Sequence, residues 1–227
     1  MSVTSITSSP VAQPVQEPKD PAALSRTVVI WIYVSLGASV LSFAAAAFKL
    51  SANFQFAGAP SQGIVDVETV LNGLSALATL ATFLVTGFLT LKWIYRVNLN
   101  AKILAPDKTI TPGWAVGWYF VPFAALWKPY QAIRETWQIC VAPKAWQTAT
   151  YPILLRQWWT LWIIGNILQN VSFRLSMESD LPGSAMISDV CGLIGDLVDL
   201  PLDLVFIMLV RHLTTLQVSA LSGRSFD

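Results

Sequence analysis

Charge is scarce in this sequence. Lys, Arg, Asp and Glu make up 12% of its 227 residues, against 54% hydrophobic, whereas a soluble domain carries about 25% charged residues. That leaves too little polar surface for a water-soluble globule of this length. Net charge is +1, so no basic field is available and no nucleic-acid partner is expected. Histidine occurs once, at His212, and cysteine twice, at Cys140 and Cys191, with no CxxC pair. Zinc and haem therefore lack a ligand set, and no metal or cofactor is expected. GxSxG, HExxH, a phosphate-binding glycine loop and a dinucleotide fingerprint are all missing. A catalytic triad would have only His212 to draw on, beside Arg211 where the apolar run 188–210 ends. No enzyme is expected.

What the chain does have is long apolar runs. Residues 28–48 hold no charge and are bracketed by Arg26 and Lys49; as a helix they reach about 30 Å, the thickness of a bilayer's hydrocarbon core. Trp31 and Tyr33 lie near the first end, where amphipathic rings prefer the interface. Ala38, Ser42 and Ala46 form a small-residue ridge suited to close helix approach. Residues 69–91 repeat the pattern, with Ala78, Thr82, Thr86 and Thr90 as the ridge. Residues 157–173 and 188–210 are further candidate spans, both more polar, which predicts that they face protein as well as lipid.

Between the second and third runs lies a basic, proline-punctuated region. Residues 113–127 are apolar throughout but reach only about 22 Å as a helix, and Pro122 interrupts them. Residues 129–141 place Tyr130, Ile133, Trp137 and Cys140 on one face, the pattern of an amphipathic helix lying in the interface. With four spans, twelve of the fourteen Lys and Arg fall on the cytoplasmic side and only Lys49 and Arg174 outside. A fifth span at 112–127 would even the count at seven on each side. The positive-inside rule prefers four, making 112–141 a re-entrant or interfacial Trp/Gly/Pro segment followed by the amphipathic helix. Cys140 and Cys191 then sit at opposite faces, too far apart for a disulfide.

The expected fold is an all-α membrane protein, a single domain over 26–217. Residues 1–25, rich in Ser, Thr, Pro, Val and Gln, show no signal-peptide pattern and are expected to be a disordered cytoplasmic tail. Residues 218–227 form a short second tail, also cytoplasmic. The protein is expected in a bacterial inner (plasma) membrane.

The stretch Tyr95-Arg96-Val97-Asn98-Leu99-Asn100-Ala101, the run from Thr111-Pro112-Gly113-Trp114 through Gly117-Trp118-Tyr119-Phe120-Val121-Pro122-Phe123-Ala124, and the run from Leu126-Trp127-Lys128-Pro129-Tyr130 to Glu135-Thr136-Trp137 together resemble the signature of bacterial domain-of-unknown-function family 4328. Trp158-Trp159 and Trp162 are similar to that family's next landmark. The resemblance covers roughly residues 28–217. Ala125 departs from the pattern, where an asparagine is usual. The resemblance implies a bacterial multi-pass membrane protein and supplies no activity or catalytic residues.

Two features carry the functional expectations. Asp189, Asp196, Asp199 and Asp203 fall within one ~80° arc of the last helix, and a carboxylate near the bilayer centre costs at least roughly 2.5 kcal/mol unless neutralised, hydrated or paired. With Asn166, Gln169 and Asn170 of the third span, Asp196, Asp199 and Asp203 form a candidate polar track, read either as ion or proton handling or as structural hydrogen bonding that fixes helix register. Aspartyl-type chemistry would need an opposing acid, and Asp196 and Asp199 share one helix. The second feature is the segment carrying Trp114, Trp118, Pro122, Trp127, Tyr130, Arg134 and Trp137, expected to meet membrane lipid headgroups or a protein partner, a homo-oligomer included. Gly113 and Gly117 are read there as helix-packing positions, and Arg134-Glu135 as a solvated or headgroup-facing pair. The preferred expectation is a non-enzymatic membrane protein acting through this aromatic-basic segment; the alternative is an ion- or proton-handling protein using the acidic stripe.

Overall fold

In the computed structural model, which describes residues 17–55, 61–177 and 183–224, all regular structure is helical. Four long helices dominate: α1 (Ala22–Gln55), α2 (Gln62–Leu104), α5 (Ile153–Ser176) and α6 (Ser184–Arg224). The short α3 (Pro112–Gly117) and α4 (Lys128–Val141) lie between α2 and α5, joined by single 3-10 turns at Trp118–Phe120 and Ala124–Leu126. Among the described residues two helices, Ala22–Ala52 and Gln62–Leu104, are long and apolar enough to cross a membrane.

Several hydroxyl residues inside these helices satisfy themselves locally. Thr82 Oγ1 donates to the Ala78 carbonyl at 2.8 Å, so a polar residue survives in an apolar helix without a distant partner. One member of the same ridge does reach across, as Thr86 Oγ1 donates to the Trp31 carbonyl of α1 at 3.2 Å. Pro201 lies inside α6, where it removes one backbone donor from the ladder, yet the helix continues beyond it.

The long helices pack in the order α5, α6, α1, α2. They meet at an aromatic layer. Trp93 of α2 is fully buried and sets its edge on Phe206 of α6 at 6.4 Å, while Trp158 of α5 stacks on the same Phe206 at 5.5 Å. Val28 and Ile32 of α1 belong to the same core. Thus α1 and α5 begin near this layer, while α2 and α6 run through it and project beyond, each neighbouring pair antiparallel.

Beyond the layer, the ends of α2 and α6 join α3 and α4 in a head held by polar side chains. Asn98 Oδ1 accepts from Thr136 Oγ1 of α4 at 3.0 Å. Asn100 Nδ2 donates to Gln217 Oε1 of α6 at 3.0 Å, and Gln217 Nε2 donates to the Val97 carbonyl at 2.8 Å. Each of these amides is buried, and the mutual bonds satisfy groups that burial would otherwise leave stranded.

A second knot lies alongside. Lys108, 2% exposed, donates to Glu135 Oε2 at 3.1 Å and to the Ile110 carbonyl at 3.0 Å. Glu135 also accepts from Thr109 Oγ1 and from the Ile110 backbone N–H at 3.2 Å. Burial pulls the Lys108 ammonium below its ordinary value, with the Glu135 charge opposing that shift.

Exposure differs sharply between the two levels. On α2, Val70, Leu74, Leu77, Leu80, Phe83 and Phe88 are each more than half exposed. Past Trp93 the same helix shows only one exposed large hydrophobic residue, Tyr95. Soluble monomers rarely expose an apolar stripe of that length.

Several sequence expectations change. Of the tail expected at 1–25, residues 1–16 lie outside the described residues, but the remainder is tied down. Lys19 clasps Asn100 through its backbone N–H (3.2 Å) and carbonyl (2.9 Å), and α1 already begins at Ala22. Of the C-terminal tail at 218–227, residues 218–224 continue α6 and residues 225–227 lie outside the described residues. The amphipathic helix exists as α4, but Ile133, Trp137 and Cys140 face the head's core rather than a lipid surface, because the projecting ends of α2 and α6 cover that face. Glu135 is not a solvated partner of Arg134; it is buried against Lys108.

Candidate functional site

The acidic stripe faces protein through α5 and α1. Asp196 Oδ2 accepts from Ser42 Oγ of α1 at 2.8 Å, and its Oδ1 accepts from Gln169 Nε2 of α5 at 3.2 Å. These contacts require close approach, which two glycines permit. A Cβ on Gly195 would lie 2.8 Å from Gln169 Nε2, and one on Gly165 would lie 3.0 Å from Asp199 Oδ1. Side chains of each helix therefore seat in notches on the other, the packing expected where small residues replace a hydrophobic driving force. By contrast, a Cβ on Gly113 would meet nothing within 4 Å, and one on Gly117 only the Trp114 ring. Neither is a helix-packing position.

Above Asp196, away from the head, lies a cavity of about 210 Å³ lined by residues of α1, α2, α5 and α6, among them Ser42, Asn72, Gln169 and Asp196. Lys49 and Asp189, also in its wall, form an ion pair at 2.6 Å. Asn166 and Asn170 do not join this track. Asn166 is exposed and donates back to the Trp162 carbonyl of its own helix, and Asn170 is exposed and accepts from Arg174. Helical rotation explains it, since only Gln169 of the three points at α6. Asp203 lies nearer the head, with Oδ2 buried and without a hydrogen-bond partner.

The aromatic segment divides into an exposed part and a buried part. Thr111 caps α3 by accepting from the Trp114 N–H, with Pro112 at a first-turn position that needs no donor. Trp114 and Trp118 then stack at 4.5 Å, and Lys128 Nζ lies 5.8 Å from the Trp118 ring. The chain reverses at Phe123, whose φ of 63° is the sole positive value at a non-glycine among the described residues. With ψ −52° and the Ala124 N–H donating to the Pro122 carbonyl at 2.7 Å, this is a γ-turn of the rare, strained kind. Strain of about 1–3 kcal/mol persists only where the surroundings enforce it. Here it presents Phe123 79% exposed, flanked by exposed Phe120, Pro122, Leu126 and Trp127. Ala125, where the family pattern has asparagine, sits in the turn after Phe123 and donates its N–H to Val121. Trp159 of α5 holds the apex by donating to the Leu126 carbonyl at 2.9 Å. Tyr130 and Arg134 are half-buried beside it. Trp137 is 8% exposed in the core, so it is removed from any contact surface.

Sequence reasoning missed Ser42 as the Asp196 partner, the Lys108–Glu135 pair, and Gln217. Ser42 was visible only as a small residue. Lys108 looked like one more cytoplasmic positive charge, and nothing near Gln217 marks it in the sequence. Cys140 is buried against Gln217, and burial pushes its thiol up to about 12, so it is inert as a nucleophile. Among the described residues no group of His, Cys, Asp and Glu is arranged to hold a metal ion.

No curated protein and no solved structure matches the chain. The family described as Domain of unknown function (DUF4328) matches residues 57–215. That match takes in α2 to α5 with most of α6, and hence the γ-turn apex and the Asp196 notch; the chain belongs to this family.

Proposed function

We propose that the chain is a bacterial inner-membrane protein with four spans and both termini in the cytoplasm, whose head rests on the cytoplasmic leaflet through the Phe123 apex and contacts lipid there. The observation that carries this is the strained turn at Phe123, which places exposed rings beside the start of α5. The apolar stripe of α2, ending where the head begins, supports the same membrane plane, as does the placement of the Lys and Arg. Aromatic rings flanked by Lys128 and Arg156 suit the boundary between acyl chains and headgroups.

Reporter fusions at residues 100, 145 and the C-terminus should read as cytosolic, and those at 58 and 180 as external. An environment-sensitive fluorophore on Phe123→Cys, with the native cysteines replaced, should be quenched by lipid-borne quencher and shielded from aqueous iodide. Quenching by iodide alone would remove the apex from the bilayer and favour a protein partner as its occupant.

A second reading is favoured by the cavity. Its wall carries Asp196, within the fourth span of the four-span arrangement, where a charged group is a functional candidate by default, with Lys49 and Asp189 paired at its outer end. Under that reading Asp196→Asn should fold normally and abolish ion or proton flux in liposomes, because the amide oxygen still accepts from Gln169 and its NH2 can donate to the Ser42 hydroxyl, but the amide cannot titrate. Wild-type protein without flux would dismiss it.

A further inference from the structure

Among the described residues Arg134 and Arg156 have no carboxylate partner. The ion pairs among the described residues are Lys49–Asp189 and Lys108–Glu135, and Glu135, next to Arg134 on α4, is turned inward to Lys108, Thr109 and Ile110. The two arginines converge instead on a pair of tyrosines. Arg134 Cζ lies 5.7 Å from the Tyr151 ring centroid. The Tyr130 and Tyr151 hydroxyls are close enough to influence each other, Arg134 also acts on the Tyr151 hydroxyl, and both guanidinium charges act on the pair. Arg134 Nε is buried with no acceptor. Burial raises the pKa of the Tyr130 hydroxyl, so it stays protonated.

Two positive charges acting on one tyrosine pair and a buried donor left unmade are each unfavourable, and an anion relieves both. The planar guanidinium fork matches phosphate oxygens in bidentate fashion. The surroundings name the kind of phosphate. Tyr130 lies 6.3 Å from Trp159, which holds the apex through Leu126, and Ile153, Leu126 and Trp127 beside it are all exposed. A ligand seated here has its charge on the arginines and apolar surface within reach.

We propose that Arg134 and Arg156, with the hydroxyls of Tyr130 and Tyr151, form a binding site for the phosphate of an anionic phospholipid of the cytoplasmic leaflet. The site rests on the reading that the apex lies in that leaflet. It discriminates against zwitterionic lipid, because a quaternary or primary ammonium would sit beside two guanidiniums.

The test is native mass spectrometry of the full chain in detergent, titrated with phosphatidylglycerol, phosphatidylcholine or inorganic phosphate. Phosphatidylglycerol should bind preferentially. Arg134→Gln and Arg156→Gln should each weaken it about fivefold, and the double variant about 25-fold, while Lys144→Gln, an exposed lysine elsewhere on the head, should not. Arg134→Lys keeps the charge and loses the fork, so an intermediate affinity is expected even if the glutamine variant folds poorly. Equal binding of the two lipids, an equal loss in Lys144→Gln, or inorganic phosphate competing as well as phosphatidylglycerol would overturn the proposal. The Phe123→Cys label separates the two failures. A label in lipid without headgroup selectivity removes only this site, whereas a label in water removes the reading on which it rests.

Discussion

Replacing Glu135 by alanine is expected to destabilise the head by about 3–5 kcal/mol, the usual result of leaving one member of a buried ion pair without its partner. Lys108 is wholly enclosed, at 0% side-chain exposure, and cannot swing out to water. The loss would also free Thr109 Oγ1 and the Ile110 N–H, so the loop between α2 and α3 should loosen along with the pair. The double variant Lys108→Met, Glu135→Leu should recover most of the stability, because removing both charges also removes their desolvation penalty. Limited proteolysis between residues 105 and 111, followed with thermal melting in detergent, reads both effects. A double variant no more stable than Glu135→Ala would mean that the pair contributes through its hydrogen bonds rather than its charge.

How far such features were legible in the sequence depended on whether the signal was local. Charge-free runs marked the cores of α1 and α2 because lipid-length helices need only a count of apolar residues. Their true ends were not legible. Asn98 and Asn100 continue α2 past the last apolar run because Thr136, Gln217 and Lys19, distant in sequence, satisfy their amides. The acidic stripe was legible from helical spacing, but its partner was not, as Ser42 lies on the first helix and reads as a small residue. Of the three amides on α5, only Gln169 reaches Asp196, a distinction set by which face of α5 turns toward α6 and not by polarity. The positive φ at Phe123 had no sequence signature, since neither glycine nor asparagine stands there.

The other large effect is expected at Trp93. Its side chain is fully buried, sets its edge on Phe206 and donates through Nε1 to Thr214 Oγ1 at 3.2 Å. Trp93→Ala should cost about 3–5 kcal/mol, combining lost contacts with the cavity left where the helices converge. Trp93→Phe keeps an aromatic edge for Phe206 and leaves only the Thr214 hydroxyl to find another acceptor or donor, which a helical threonine can do on its own backbone. Its cost should therefore stay below about 2 kcal/mol. Unfolding in a mixed-micelle titration with increasing SDS would rank the variants as wild type, Phe, then Ala. If the two substitutions proved equally damaging, the layer would owe its strength to the Trp93–Thr214 bond and not to packed rings.

At about 1.5 Å per residue, the 43 residues of α2 form a rod of about 65 Å, roughly twice the hydrocarbon thickness of a bilayer. With its collar at the Trp93 layer, such a rod is a lever. A tilt of about 5° pivoting on that layer sweeps the far end, about 46 Å away, through roughly 4 Å, and moves Asn98 and Asn100, only about 8–10 Å past it, by just under about 1 Å against Thr136 and Gln217. The two arms differ mechanically, for α2 contains no proline, whereas α6 has a joint at Pro201 between Asp196 and Phe206. A sideways push at the far end of the bundle thus reaches the head as rigid displacement along α2 and as bending along α6.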